Sequence, residues 1–177
     1  MKKRRKTRPP KGGFTLIELL IVIAIIAILA IIVVLTINPQ RILEKSRDSQ
    51  RMSDLTSLAT AINLYLADDH DFTGLGGVTY VSNDVAKNDN DEKKNDGTGW
   101  VPINFTSVSS GAPIASLPLD PKGTGNLIYR FGVNEAVKTY ELDCTFENSD
   151  NQAKQSADGG DNADRYEVGT DLTILGA

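Results

Sequence analysis

The apolar and polar positions fall into distinct regimes along the chain. From Leu19 to Leu35 every residue is apolar, with no Gly, Pro or charge; with Phe14, Leu16, Ile17 and Ile37 flanking it, the run predicts a helix about 36 Å long at ~1.5 Å per residue. That length crosses a bilayer core of roughly 30 Å. Asn38-Pro39 comes next, and a proline there has no N–H for the carbonyl of Leu35, so the helix must kink or restart, with Asn38 as cap and Pro39 at the first position. After a polar, mixed-charge stretch from Gln40 to Arg51, Met52, Leu55, Leu58, Ala59, Ile62 and Leu66 recur at helical spacing. They predict an amphipathic helix with one face packed on a sheet.

Asp68-Asp69-His70-Asp71 ends that helix in charge, and Gly74, Gly76 and Gly77 keep the chain beyond it from continuing as helix. Val78–Val81 reads as a short strand. Residues 83–99 form a polar tract that cannot build a core and reads as an exposed loop. Lys93 and Lys94 in that tract stand where an EF-hand would need an oxygen ligand and a glycine. Period-two alternation then appears: Leu127, Tyr129, Phe131 and Val133 against Ile128, Arg130 and Gly132, and Tyr140, Leu142, Cys144 and Phe146 against Thr139, Glu141, Asp143 and Thr145. This is the pattern of a half-buried antiparallel sheet whose polar side faces out. A last strand runs from Tyr166 to Val168 and on through Leu172 to Ile174. The fold class is α+β: a long N-terminal transmembrane and amphipathic helix packed on a small antiparallel sheet.

Charge orients this plan. Residues 1–13 hold seven of the 19 basic residues and no acid, which leaves 12 basic against 23 acidic residues in the remainder. Basic residues ahead of a membrane segment keep that end in the cytoplasm, so the acidic body faces outward. The chain divides into a basic leader at 1–13, a transmembrane helix at 14–37, its amphipathic continuation at 38–68 and an extracytoplasmic β-rich head at 69–177. An acidic exported body excludes nucleic-acid binding as a bulk property, since phosphate contacts need clustered Lys and Arg. Cys144 is the only cysteine and forms no intramolecular disulfide; its ordinary role is a small buried hydrophobe.

One residue interrupts the apolar block. Glu18 is a carboxylate just inside it, and such a group costs roughly 2.5–3.5 kcal/mol at the bilayer centre and less near an end. The pattern offers it no partner within its own helix. Cleavage after Gly13 would create one, a free α-amino group on Phe14, four residues away. The run Gly13-Phe14-Thr15-Leu16-Ile17-Glu18, with a basic leader before it and an apolar helix after it, closely resembles the processing signal of type IV prepilins and type II secretion pseudopilins. The resemblance implies a pilin-like fold, cutting between Gly13 and Phe14 by a membrane prepilin peptidase that also methylates the new terminus, and pairing of Glu18 with the terminal amine of a neighbouring subunit as a filament grows. It implies as partners further copies of the chain, the membrane, and an assembly platform with its ATPase.

Leu117-Pro118-Leu119-Asp120-Pro121, Tyr140-Glu141-Leu142 and Ala157-Asp158-Gly159-Gly160 resemble short segments of major pseudopilin heads. Asp158, Asp161, Asp164 and Asp171 share one glycine-broken stretch, and two readings of it stand together. One is a solvated acidic loop. The other is a Ca²⁺ site, supported by the resemblance, because major pseudopilins with a similar segment bind calcium in their C-terminal loop. His70 beside its acids reads as a solvated helix end rather than a metal ligand. No nucleophile, base and orienter set and no phosphate-cradling glycine loop is visible. The sequence therefore implies a non-enzymatic filament subunit; the alternative is a membrane-tethered extracytoplasmic binding domain that never polymerises, for which Glu18 and the Gly13-Phe14 junction would have no use.

Overall fold

The computed structural model describes residues 12–36, 38–84 and 88–176, so most of the leader lies outside the described residues. The chain forms two units, residues 1–40 and 41–177. The first is dominated by α1 (Leu16–Thr36), where Leu, Ile, Val and Ala form a helix with no Gly or Pro to break it. Its large side chains from Leu16 to Val34 are all exposed, and Leu16–Val34 is long and apolar enough to cross a membrane.

α2 (Pro39–Ala67) begins with proline in its first turn, where the missing N–H costs nothing. In the second unit its apolar stripe meets the sheet as the spacing predicts: Leu55, Leu58, Ala59 and Ile62 are buried, and Met52 and Leu66 are partly buried against the same core. The sheet is an antiparallel meander of β1 (Tyr80–Val81), β2 (Arg130–Asn134), β3 (Thr139–Cys144) and β4 (Tyr166–Gly169) in chain order. Phe131 pairs with Leu142 and Val133 with Tyr140, which puts Tyr129, Phe131, Val133, Tyr140, Leu142 and Cys144 on the inner face. Phe72 fills the space beside them, edge-on to Phe131 and Tyr140. The Tyr140 hydroxyl donates to the Ala59 carbonyl at 3.2 Å and the Tyr129 hydroxyl to Asp54 at 2.8 Å, so the inner face is pinned to α2 by polar tips on apolar rings.

Three expectations are corrected. The 83–99 tract is not uniformly exposed: α3 (Asp89–Glu92) lies in it, Glu92 is buried with its carboxylate accepting from the Asp84 N–H, and Gly99 sits where a Cβ would meet the Lys94 carbonyl at 2.1 Å. The last strand stops at Gly169 and does not run on to Ile174. The polar side of the sheet does not face solvent, for Glu141 and Asp143 are fully buried. Asp143 is bracketed by Arg130, its Nε 2.8 Å from Oδ2, and Arg165, its Nε 2.6 Å from Oδ1. Beside them the C-terminal segment lies across β2; a Cβ on Gly132 would stand 2.6 Å from Leu175 Cδ2.

A second buried polar centre joins α2 to the Leu117–Pro121 turn. Arg51 is completely buried and donates to both oxygens of Asp120, from Nε at 2.6 Å and Nη2 at 2.9 Å, to Asp48 at 2.9 Å, and lies 2.9 Å from Glu147. Arg47 grips Glu147 through two further bonds, at 2.6 and 2.7 Å. The proline-rich turn is thus held by its aspartate rather than by apolar packing alone.

Candidate functional site

Gly12, Gly13, Phe14 and Thr15 precede the first turn of α1 in irregular backbone and are exposed, Phe14 at 88%. Among the described residues a Cβ on Gly12 or Gly13 would meet nothing within 4 Å, and neither residue has a positive φ. The fold itself makes no demand for glycine there, so a requirement for it would have to come from whatever reads the segment.

Glu18 has a partner that the apolar pattern concealed. Its Oε2 accepts from the Thr15 N–H and from the Thr15 hydroxyl, both at 2.8 Å, while the Glu18 N–H donates back to Thr15 Oγ1 at 3.2 Å. This is a reciprocal capping box, Thr-x-x-Glu, which satisfies donors that the first turn leaves open and places negative charge at the positive end of the helix. Thr15 stands three residues ahead of Glu18 at the start of an apolar run, so the signal was present in the sequence. The expectation that Glu18 lacks a partner within its helix is corrected: the cap supplies hydrogen bonds, although no counter-charge.

The four aspartates proposed for calcium do not converge. Asp158 accepts from the Gly160 N–H at 3.0 Å and the Glu167 N–H at 2.8 Å, and Asp171 accepts from the Thr173 hydroxyl at 2.8 Å. The Asp164 N–H donates to the Asn162 side chain, and Asp161 and Asp164 are exposed. Among the described residues no group of three or more His, Cys, Asp or Glu could hold a metal ion. Among the described residues there is therefore no cage of carboxylates: Asp158 is engaged by backbone of its loop and of β4, and Asp171 by Thr173. What sequence reasoning missed here is the pair Glu141 and Glu167, from β3 and β4, both buried.

Asp68, His70 and Ser107 meet on the surface, His70 stacked on Tyr65 at a ring separation of 4.4 Å. Their order does not make a relay. Ser107 Oγ and Asp68 Oδ2 both approach the same ring nitrogen, Nε2, at 3.3 and 3.4 Å, whereas a nucleophile and an orienting carboxylate must engage opposite nitrogens of the imidazole. The Ser107 hydroxyl donates instead to the Asn104 carbonyl at 2.7 Å.

The family model described as the prokaryotic N-terminal methylation motif matches residues 8–34, a stretch that contains the Gly13-Phe14 junction, Glu18 and nearly all of the apolar helix. No curated protein and no solved structure matches the chain.

Proposed function

Starting from a type IV pilin-like chain, the assignment that the methylation motif supports, we propose that this protein is a structural filament subunit stored in the cytoplasmic membrane and polymerised through its N-terminal helix. Proteins of this type are structural subunits rather than enzymes. The observation that carries the reading is a 21-residue, mostly apolar helix with its large side chains exposed from Leu16 to Val34, a carboxylate in its first turn and an accessible Gly13-Phe14 junction directly ahead of it. A lipid-facing anchor explains the exposed apolar surface; the cap gives Glu18 hydrogen bonds, and assembly would give its charge a partner.

In this scheme residues 1–13 stay in the cytoplasm until a prepilin peptidase cuts between Gly13 and Phe14 and methylates the new amine. The transmembrane part extends from 14 to 37, the amphipathic stretch from 38 to 68, and the head from 69 to 177 is extracytoplasmic. On polymerisation the Phe14 amine of one subunit neutralises Glu18 of the next, which offsets the cost of holding the carboxylate in an apolar bundle. An assembly platform and an ATPase supply the work, and the product is a pilus or a secretion pseudopilus.

Intact-mass analysis of the protein from its own host tests the processing step: the mature chain should start at a methylated Phe14, and a mature chain that retains Met1 would end the proposal. Glu18→Ala should leave membrane-bound subunit in place while filaments become rare. Parental levels of filament would remove Glu18 from the mechanism.

A further inference from the structure

Glu141 and Glu167 stand on neighbouring strands but not opposite one another. The register pairs Glu141 with Gly169 and Asp143 with Glu167, so the two glutamates are diagonal neighbours on the outer face of the sheet. They are 0% and 3% exposed. Each uses Oε2 to hold a different piece of backbone. Glu141 accepts from the Ile174 and Leu175 N–H groups, both at 2.8 Å, and Glu167 accepts from the Asn162 N–H at 3.1 Å. The other oxygen of each, Oε1, is buried with no hydrogen-bond partner among the described residues.

Two orphaned carboxylate oxygens in one buried site are costly if both groups are charged. The cations and acids around them do not remove that cost. Arg130 on β2 and Arg165 just ahead of β4 are committed to Asp143 on β3, and Asp158 in the facing loop adds a further negative charge. One proton resolves the arrangement, because a protonated carboxyl donates to an ionised one and both Oε1 atoms then have a partner. We propose that Glu141 and Glu167 hold a single proton between their Oε1 atoms, and that this proton latches the C-terminal segment and the 158–165 loop onto the sheet. Burial, and then the neighbouring Glu141, push Glu167 up to about 8. The proton is therefore held at neutral pH and released in mildly alkaline conditions. With both groups ionised, repulsion acts on the two side chains that pin Ile174, Leu175 and Asn162, and the strap over Gly132 loosens. The latch belongs to the head alone and does not depend on filament formation.

The test uses the full-length chain in detergent micelles, with Glu167→Gln as a permanent mimic of the protonated partner. The folded state keeps a proton that the unfolded chain gives up near 4.5, so folding loses stability as pH rises between about 4.5 and about 8 and is level beyond. The folding constant of the parent relative to Glu167→Gln should fall about tenfold per pH unit inside that window. Hydrogen exchange, corrected for intrinsic rates, should show the peptide bearing Ile174 and Leu175 losing protection progressively as pH rises from about 4.5 to about 8 in the parent and keeping it in the variant. Should Glu167→Gln fail to fold, Glu141→Gln removes the same repulsion, and the parent's own exchange profile remains decisive. Equal protection of that peptide at the two ends of the window, about pH 4.5 and about pH 8, would overturn the proposal. So would millimolar Ca²⁺ that restores alkaline protection in the parent and not in Glu167→Gln, since the pair would then be a cation site.

Discussion

Replacing Arg51 with methionine is the most demanding test of how the head is held. The guanidinium is fully buried and bonded to Asp120 twice, to Asp48 and to Glu147. Methionine restores much of the volume, so the loss is chiefly electrostatic. Its distribution can be worked out. Asp48 would keep three donors, the N–H groups of Glu147 and Asn148 and the Asn151 amide; Glu147 would keep Arg47 and Lys122. Asp120 is different: the N–H groups of Lys122 and Gly123 both go to Oδ1, so Oδ2 loses its partner. Breaking a buried ion pair from one side costs about 3–5 kcal/mol. At roughly 3–4 °C per kcal/mol for a unit of this size, the melting temperature should drop by about 10–20 °C. The assay is chemical and thermal unfolding of full-length protein in detergent, with a double-mutant cycle. Because the damage concentrates on an uncompensated Asp120, Asp120→Asn added to Arg51→Met should recover at least about 1 kcal/mol relative to additivity. A loss below about 1 kcal/mol for the single variant, or a strictly additive double variant, would show that the network is screened by water and would refute the reasoning.

Glu147 is held down at about 2, by Arg47 first and by Arg51 and Lys122 in addition, against the opposing effect of burial. Its folded value lies below its ordinary one, so its contribution is complete above about 4.5 and lost as pH falls towards 2; Arg47→Gln should move the acid-unfolding midpoint upward, read by circular dichroism. Gly132→Ala puts a Cβ 2.6 Å from Leu175 Cδ2, and because that atom ends a flexible side chain the expected cost is only about 1 kcal/mol, with faster exchange confined to the C-terminal segment. Burial pushes the Cys144 thiol well above its ordinary range, so a maleimide at pH 8 should leave the folded chain unlabelled and modify it once after unfolding, as intact mass would show.

The elements that periodicity specifies were legible in the sequence. The apolar block of α1, the stripe from Leu55 to Ile62 and the inward residues of β2 and β3 all follow from spacing, because burial of one face is what the pattern encodes. Alternation says which side of a strand is polar but not what covers it. Glu141 and Asp143 therefore read as solvent-facing, while Arg130 on β2, Arg165 just ahead of β4 and the chain's own last residues enclose them. Arg51 and Asp120 lie 69 positions apart, and no local rule links them. The Thr15–Glu18 box is legible as Thr-x-x-Glu at the head of the apolar run, and its hydrogen bonds serve the carboxylate without a cation. Clustering of aspartates over 158–171 does not by itself say where the side chains go: Asp158 accepts from Gly160 and Glu167 and Asp171 from Thr173.

The outer strands of the sheet carry a consequence for life at high local concentration. β1 is two residues long and β4 is four. Adjacent heads crowded along a fibre are exposed to edge-to-edge strand pairing, which propagates through backbone groups without regard to register or partner. Borders this short give an incoming strand almost no ladder to extend. In the filament proposed above, contacts between heads would thereby be left to side chains, whose geometry can be specific and reversible, and the brevity of these borders would protect the polymer from its amyloid-like competitor.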